Sequence, residues 1–179
     1  HAMALILALS RQIHLARDNQ RARHWRPMIS ELDQREDELD GKTLLIFGLG
    51  AIGQRLTRLA SAFGMSVIGL KRDASGSYAG VDALHPPAAL ADLLPQADVV
   101  ALTCPLTPET TGVIDADSLG RMKPSAWLVN VARGPCVDEA ALVTALEEGR
   151  IAGAGIDTTA EEPLPPDSPL WDLDNIVLT

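Results

Sequence analysis

The stretch Lys42-Thr43-Leu44-Leu45-Ile46-Phe47-Gly48-Leu49-Gly50-Ala51-Ile52-Gly53 decides how the rest of the chain is read. Leu44 to Phe47 is an unbroken apolar run, the pattern of a strand buried on both faces of a parallel sheet. It feeds directly into Gly48-x-Gly50-x-x-Gly53. Beyond that the apolar spacing becomes helical. Ile52, Leu56, Leu59, Ala60 and Phe63 fall on one face, and Gly64 stands where a C-terminal cap belongs. Gly48 suits the tight turn, Gly50 a close approach of pyrophosphate to the backbone, and Gly53 close packing of helix on strand. The helix start offers free N–H groups and a positive dipole end. A glycine pattern alone is an ordinary turn; with a strand before it and a helix after, it reads as a dinucleotide site.

At 179 residues the chain has the length for one well-buried core, and two full domains would be cramped. Hydrophobic content of 46% with 14 Gly and 12 Pro fits a globular α/β protein, and 3% aromatic makes the core largely aliphatic. A net charge of −9 argues against broad binding to nucleic acid or anionic membranes. Cys104 and Cys136 show neither metal-ligand nor redox-pair spacing, and read as buried free thiols in a reducing cytoplasm. The apolar run Ala2 to Leu9 is far too short to span a bilayer, and no signal-peptide pattern precedes it.

The chain opens already helical in pattern, with Ala2, Ile6, Leu9, Ile13 and Ala16 on one face, as a piece of a longer protein would. Arg17, Arg21, Arg23 and Arg26 read as a solvated helix end. The acidic run Glu31 to Asp40 reads as a solvated linker, and Asp40-Gly41 as a turn. Strands are expected at 65–70, about 81–84, 98–102, 127–131, 152–157 and 176–178. Helices are expected at 87–94, 115–122 (stopped before Pro124) and 138–148, with Asp138 as cap and Gly149 after it. A proline-rich loop covers 163–169. Strands alternating with helices throughout give an α/β fold with a doubly wound parallel sheet.

In such a sheet the ligand lies beyond the carboxyl ends of the strands. That collects Gly48, Gly50, Ala51, Ile52 and Gly53, Lys71-Arg72, Thr103-Cys104-Pro105, Val131-Ala132-Arg133, and Asp157 onward to Glu162. Arg133 has the fork to grip a carboxylate or carbonyl at two points, or it is a surface ion pair; Gly134-Pro135 behind it suggests a shaped turn. Asp157 either accepts from an amide or caps its loop. Glu162 belongs to an acidic loop of the kind water usually solvates. A dinucleotide site for NAD carries an acid for the ribose about 20 residues beyond the first glycine. Here that place holds Lys71-Arg72, suited to a 2′-phosphate and so to NADP, with Asp73 beside them as the residue that would favour NAD.

The four stretches Gly48-Leu49-Gly50-Ala51-Ile52-Gly53, Cys104-Pro105-Leu106-Thr107-Pro108-Glu109-Thr110, Asn130-Val131-Ala132-Arg133-Gly134 and Gly155-Ile156-Asp157 with Glu162-Pro163 together resemble the D-isomer-specific 2-hydroxyacid dehydrogenase family. The similarity runs over essentially the whole chain. It implies a Rossmann-type cofactor lobe spanning 1–179, with a connecting helix and its exit at 1–30 and the core at 41–179, cut from a two-lobed homodimeric enzyme. It further implies that Arg133 binds the carboxylate and carbonyl of a small 2-oxo or 2-hydroxy acid, and that Glu162 pairs with a proton-donating histidine. Asp157 would hold the nicotinamide carboxamide, and Ala51, Ile52 and Thr110 would line the cofactor. In the family that histidine follows a segment like Asn175 to Thr179; none of His1, His14, His24 or His85 matches it. Thr158-Thr159 replaces the usual apolar-aromatic pair. Lys71-Arg72 leans the expected substrate toward glyoxylate or hydroxypyruvate. Turnover by the full-length parent distinguishes an enzyme from a non-catalytic dinucleotide-sensing adaptor, the corepressor-like reading of the same lobe.

Overall fold

A computed structural model describes residues 1–31 and 35–179. Its strands are β1 (Thr43–Phe47), β2 (Ser66–Leu70), β3 (Ala83–His85), β4 (Val99–Leu102), β5 (Trp127–Asn130), β6 (Gly153–Ile156) and β7 (Ile176–Leu178). They form one sheet in the order β3-β2-β1-β4-β5-β6-β7, every pairing parallel. The order reverses between β1 and β4, and that switch point opens a crevice at the carboxyl end.

The apolar runs are strands because both faces are covered. Leu44 and Ile46 face a core with α1 (Ala2–Ser10) and α3 (Ala51–Ala62). Leu45 and Phe47 face a second core with α4 (Leu90–Leu93), α5 (Ala116–Arg121) and α6 (Glu139–Glu147). Asp115 caps α5 through Ser118 N–H, and Asp138 caps α6 through Ala141 N–H, as its position before the helix requires. α3 ends as expected at Gly64, whose φ of +74° lets Met65 N–H return to the Ala60 carbonyl.

Four expectations need correction. The opening helix is not continuous: Gln12 adopts a left-handed conformation, and α2 (Ile13–Arg21) leaves on a new axis with Ile13 56% exposed. The core face of α3 is Gly53, Leu56, Thr57 and Ala60, while Ile52, Leu59 and Phe63 point to solvent. The stretch expected as one helix at 87–94 is a four-residue α4 between two 3-10 turns, Pro87–Ala89 and Leu94–Gln96. The acidic run is held down rather than merely solvated. Glu36 pairs with Arg26, Asp37 with Lys42 and Glu38 with Arg11, and Leu39 is buried. Its residues 32–34 lie outside the described residues. Among the described residues no helix is long and apolar enough to cross a membrane.

Candidate functional site

The residue just past each strand except β3, which Pro86 follows, is held in register by one backbone hydrogen bond to the neighbouring strand's last carbonyl. Lys71 N–H donates to His85, Gly48 to Leu70, Thr103 to Phe47, Val131 to Leu102, Asp157 to Asn130 and Thr179 to Ile156. The sheet thus places the expected site residues in one row along its carboxyl edge. A cleft of about 520 Å³ at the opposite edge, lined by Ser10, His14, Pro124 and Trp127, gathers none of them.

At the centre of the row, Gly48 takes φ +105° and abuts Cys104, whose backbone lies 2.8 Å from where a Cβ would stand. A Cβ on Gly53 would meet the Gly48 carbonyl oxygen at 2.2 Å, so any side chain there would push α3 off β1. Thr103 Oγ1 donates to that same carbonyl and ties the turn to β4. Gly50 differs: a Cβ there meets nothing within 4 Å. The space in front of it is open, as a pyrophosphate approaching the backbone needs. No side chain caps the α3 N-terminus, so its first N–H groups and dipole face that space. The turn fits a dinucleotide. Ala51 and Ile52, at the mouth, are exposed and free to line one.

On the β2 side, Lys71 Nζ donates to the Tyr78 hydroxyl and Arg72 is exposed. The Asp73 carboxylate, exposed, accepts from the hydroxyl and N–H of Ser75, which hold it below the usual carboxylate range. Across the crevice, Glu109 is held below its usual range by the Thr107 hydroxyl and its own backbone N–H, with Arg72 adding to the effect. Thr110 Oγ1 accepts from Thr107 N–H and donates to the Pro105 carbonyl, bracing the loop that Pro105 opens. Cys104 reaches the crevice only with its backbone. Its thiol is buried beside Cys136, and burial, then that neighbour, pushes its pKa up to about 12.

On the other side of the switch point lie Arg133 and the 157–162 loop. Asn130, 1% exposed, closes the turn after β5: its Oδ1 accepts from Ala132 N–H and its Nδ2 donates to the Arg133 carbonyl. Ala132 is buried beneath, and the Arg133 side chain is thrown outward, its Nη1 donating to the Ala132 carbonyl. Gly134 then packs directly against the backbone of Thr159 and Ala160. Glu162 accepts from Thr159 N–H, and Glu139 of α6 accepts from Ala160 N–H, so the loop is pinned at both sides. Asp157, Thr158 and Glu162 line a cleft of about 460 Å³ with Trp171 and Leu178. Asp157 accepts from the Thr179 hydroxyl and lies 3.2 Å from His1 Nε2.

Asn130, Tyr78 and Glu139 are structural parts of this edge that sequence reasoning left without a role. Asn130 had a local signal, an amide at a strand end before Ala-Arg-Gly. Tyr78 and Glu139 act across loops, which no spacing announces.

An open crevice at the switch point of an all-parallel sheet, with a glycine turn and an uncapped helix, defines the class of dinucleotide-binding domains. A family model described as the D-isomer specific 2-hydroxyacid dehydrogenase NAD binding domain matches residues 3–179. The chain belongs to that family, as its NAD binding domain. It is 41% identical over 182 residues to D-3-phosphoglycerate dehydrogenase of Mycobacterium tuberculosis, covering 100% of this chain and 33% of that one. It is 40% identical over 180 residues to the glyoxylate reductase of Korarchaeum cryptofilum, covering 99% of this chain and 53% of that one. The chain therefore spans a third to about half of these curated relatives. Among solved structures, a D-isomer specific 2-hydroxyacid dehydrogenase of Xanthobacter autotrophicus Py2 in complex with NADPH and MES superposes with a TM-score of 0.83 at 34% identity, covering 99% of this chain and 70% of that chain.

Proposed function

We propose that the chain is the cofactor lobe of an NADP-preferring reductase of small 2-oxo acids, of the glyoxylate or hydroxypyruvate type. The observation that carries the catalytic part is the contact of Gly134 with Thr159, which brings the Arg133 turn against the loop bearing Glu162. Gly48, Gly50, Gly53 and the N–H groups opening α3 hold the pyrophosphate, with Ala51, Ile52, Thr103, Pro105 and Thr110 along the cofactor. Lys71 and Arg72 face the 2′-phosphate, and Asp157 accepts from the carboxamide at the other end. When bound, a nicotinamide dinucleotide supplies the hydride exchanged with C2 of the acid. Arg133 grips the substrate carboxylate and carbonyl, and stabilises charge developing on the carbonyl oxygen. Glu162 holds the imidazolium of a histidine contributed by the rest of the protein, raising its hold on the proton it delivers to that oxygen.

The NADPH and NADP complexes among structural relatives, that of Xanthobacter included, support the cofactor preference. The reductase named in Korarchaeum supports the substrate class. The chain alone binds cofactor without turnover, since it spans only part of its enzymatic relatives. Leu59 and Phe63, exposed on α3, support a second copy as partner, and the homodimer so formed is assigned to the cytoplasm.

The test is the full-length protein assayed with glyoxylate, hydroxypyruvate and 3-phosphoglycerate, as wild type and as Arg133→Lys. Lysine keeps the charge and loses the planar fork, so kcat is expected to fall about 10²-fold. An unchanged kcat with a raised KM makes Arg133 a binding residue only. Binding of cofactor with no turnover of any 2-oxo acid by the full-length protein favours the sensing adaptor.

A further inference from the structure

Lys71 is not a free surface cation. Its Nζ donates to the Tyr78 hydroxyl and sits 4.4 Å from the ring centroid. Tyr78 and the turn after it are in turn anchored at three points. Its ring packs with Val81 and Leu84 against the core under α3. Its carbonyl accepts from Val81 N–H at 3.0 Å. Two residues on, the Gly80 carbonyl accepts from Ser61 Oγ of α3 at 3.2 Å. A lysine on a four-carbon stem ordinarily loses much rotamer freedom when it must grip a ligand. Here that freedom is already restricted. Asp73, the acid two residues away, has its Oδ1 engaged by the N–H and hydroxyl of Ser75. Arg72 remains exposed on the other flank.

We propose that Tyr78 is the positioning residue for the 2′-phosphate end of the cofactor site: its hydroxyl holds the Lys71 ammonium at the end of β2, ready for a phosphate. This rests on the reading of Lys71 as the cation for that phosphate. An ammonium has three donors, and Tyr78 accepts one. Two remain for phosphate oxygens, on a side chain whose ordering precedes ligand binding, which is how preorganisation raises affinity. Tyr78 acts through Lys71 and does not touch the phosphate. NADH carries a neutral hydroxyl there and gains nothing from the arrangement.

The experiment titrates NADPH and NADH into the chain as wild type, Tyr78→Phe, Lys71→Met and the double variant, following nicotinamide fluorescence. Tyr78→Phe keeps the ring and its packing and removes only the acceptor, so the melting temperature serves as a control for folding. Lys71→Met is expected to weaken NADPH about 10- to 100-fold, and Tyr78→Phe about 3- to 10-fold, with NADH moved less than about twofold by either. In the double variant the tyrosine effect is expected to vanish, because its route runs through the lysine. A Tyr78→Phe loss that persists without Lys71, or one equal for NADH and NADPH, overturns the proposal. If Lys71→Met weakens NADPH and Tyr78→Phe does not, the positioning role fails while the cofactor reading stands. If Lys71→Met leaves NADPH unchanged, both fail.

Discussion

Gly134 and Thr159 are in backbone contact: a Cβ on Gly134 would stand 2.0 Å from the Thr159 carbonyl carbon and oxygen. Neither atom is the end of a flexible side chain, so one of the two loops must move to admit a methyl group. Those loops carry Arg133 and Glu162. Gly134→Ala is therefore expected to cost about 1–3 kcal/mol, lowering Tm by several degrees, and to abolish most activity of the full-length protein. Gly120, inside α5 with nothing within 4 Å of its would-be Cβ, is the control. Gly120→Ala is expected to stabilise by about 0.5–1 kcal/mol. Thermal melts of the two variants check the pair; equal effects would mean the Gly134 contact is loose.

At the other edge of the sheet, Asp98 clamps the starts of the central strands. Its carboxylate accepts from Thr43 N–H at 2.9 Å and Lys123 Nζ at 2.7 Å. Burial works against its charge, but Lys123, the Thr43 N–H and Lys42 together outweigh it and set the pKa below the ordinary 3.8. A carboxylate with a depressed folded pKa adds stability that is fully present above the unfolded value and lost as pH falls through the folded one. Asp98→Asn is expected to cost about 1–2 kcal/mol at neutral pH. The gap between variant and wild type should close as pH drops below 3.8. Denaturant melts at a series of pH values check this. A gap unchanged down to about pH 2 would assign the loss to packing and not to charge.

The strands and the glycine turn were legible in the sequence because each is a local pattern: an apolar run, then glycines, then helical spacing. The rotation of α3 was not. The apolar stripe through Ile52, Leu59 and Phe63 and the stripe through Gly53, Leu56, Thr57 and Ala60 both have helical spacing. The contact of Gly53 with the Gly48 carbonyl decides between them, and it turns Ile52 outward. The break at Gln12 has no glycine or proline to announce it, since the left-handed residue there is a glutamine. Arg133 and Glu162 could be named from the resemblance and from their places past β5 and β6. That Gly134 is what joins their loops is a tertiary fact. The tyrosine on Lys71 is another, set by a loop folded back on α3.

Cys104 is expected to be inert while the domain is folded. Only a thiolate attacks, and burial, aided by Cys136, pushes the Cys104 pKa up to about 12. At pH 8 roughly one molecule in 10⁴ carries the charge. Disulfide reagents should label neither of the 2 cysteines quickly in the native chain and both in denaturant. The raised value has a stability consequence of opposite sign to that of Asp98. Its contribution is intact below the ordinary 9.0 and is lost as pH rises through about 12. Fast native labelling would mean that the segment between β4 and the 134–136 turn opens locally.

Thr158 Oγ1 is buried and, among the described residues, has no hydrogen-bond partner. A hydroxyl in that state forfeits its hydration, at a cost of about 1–3 kcal/mol. Its neighbours explain the vacancy: Thr159 N–H goes to Glu162 and Thr159 Oγ1 to the Glu161 carbonyl, so the loop's polar groups are satisfied without it. Valine has nearly the same shape and no hydroxyl. Thr158→Val is therefore expected to stabilise the chain by about 1 kcal/mol, raising Tm by about 2–4 °C for a domain of this size. Thr158→Ser, which keeps the hydroxyl and deletes the methyl, is expected to destabilise it through a small cavity. Calorimetry on the three proteins, with NADPH titrations beside it, separates the alternatives. A lower Tm for the valine variant would show that the hydroxyl has a partner after all. An unchanged Tm with weaker NADPH binding would show that its partner is the ligand.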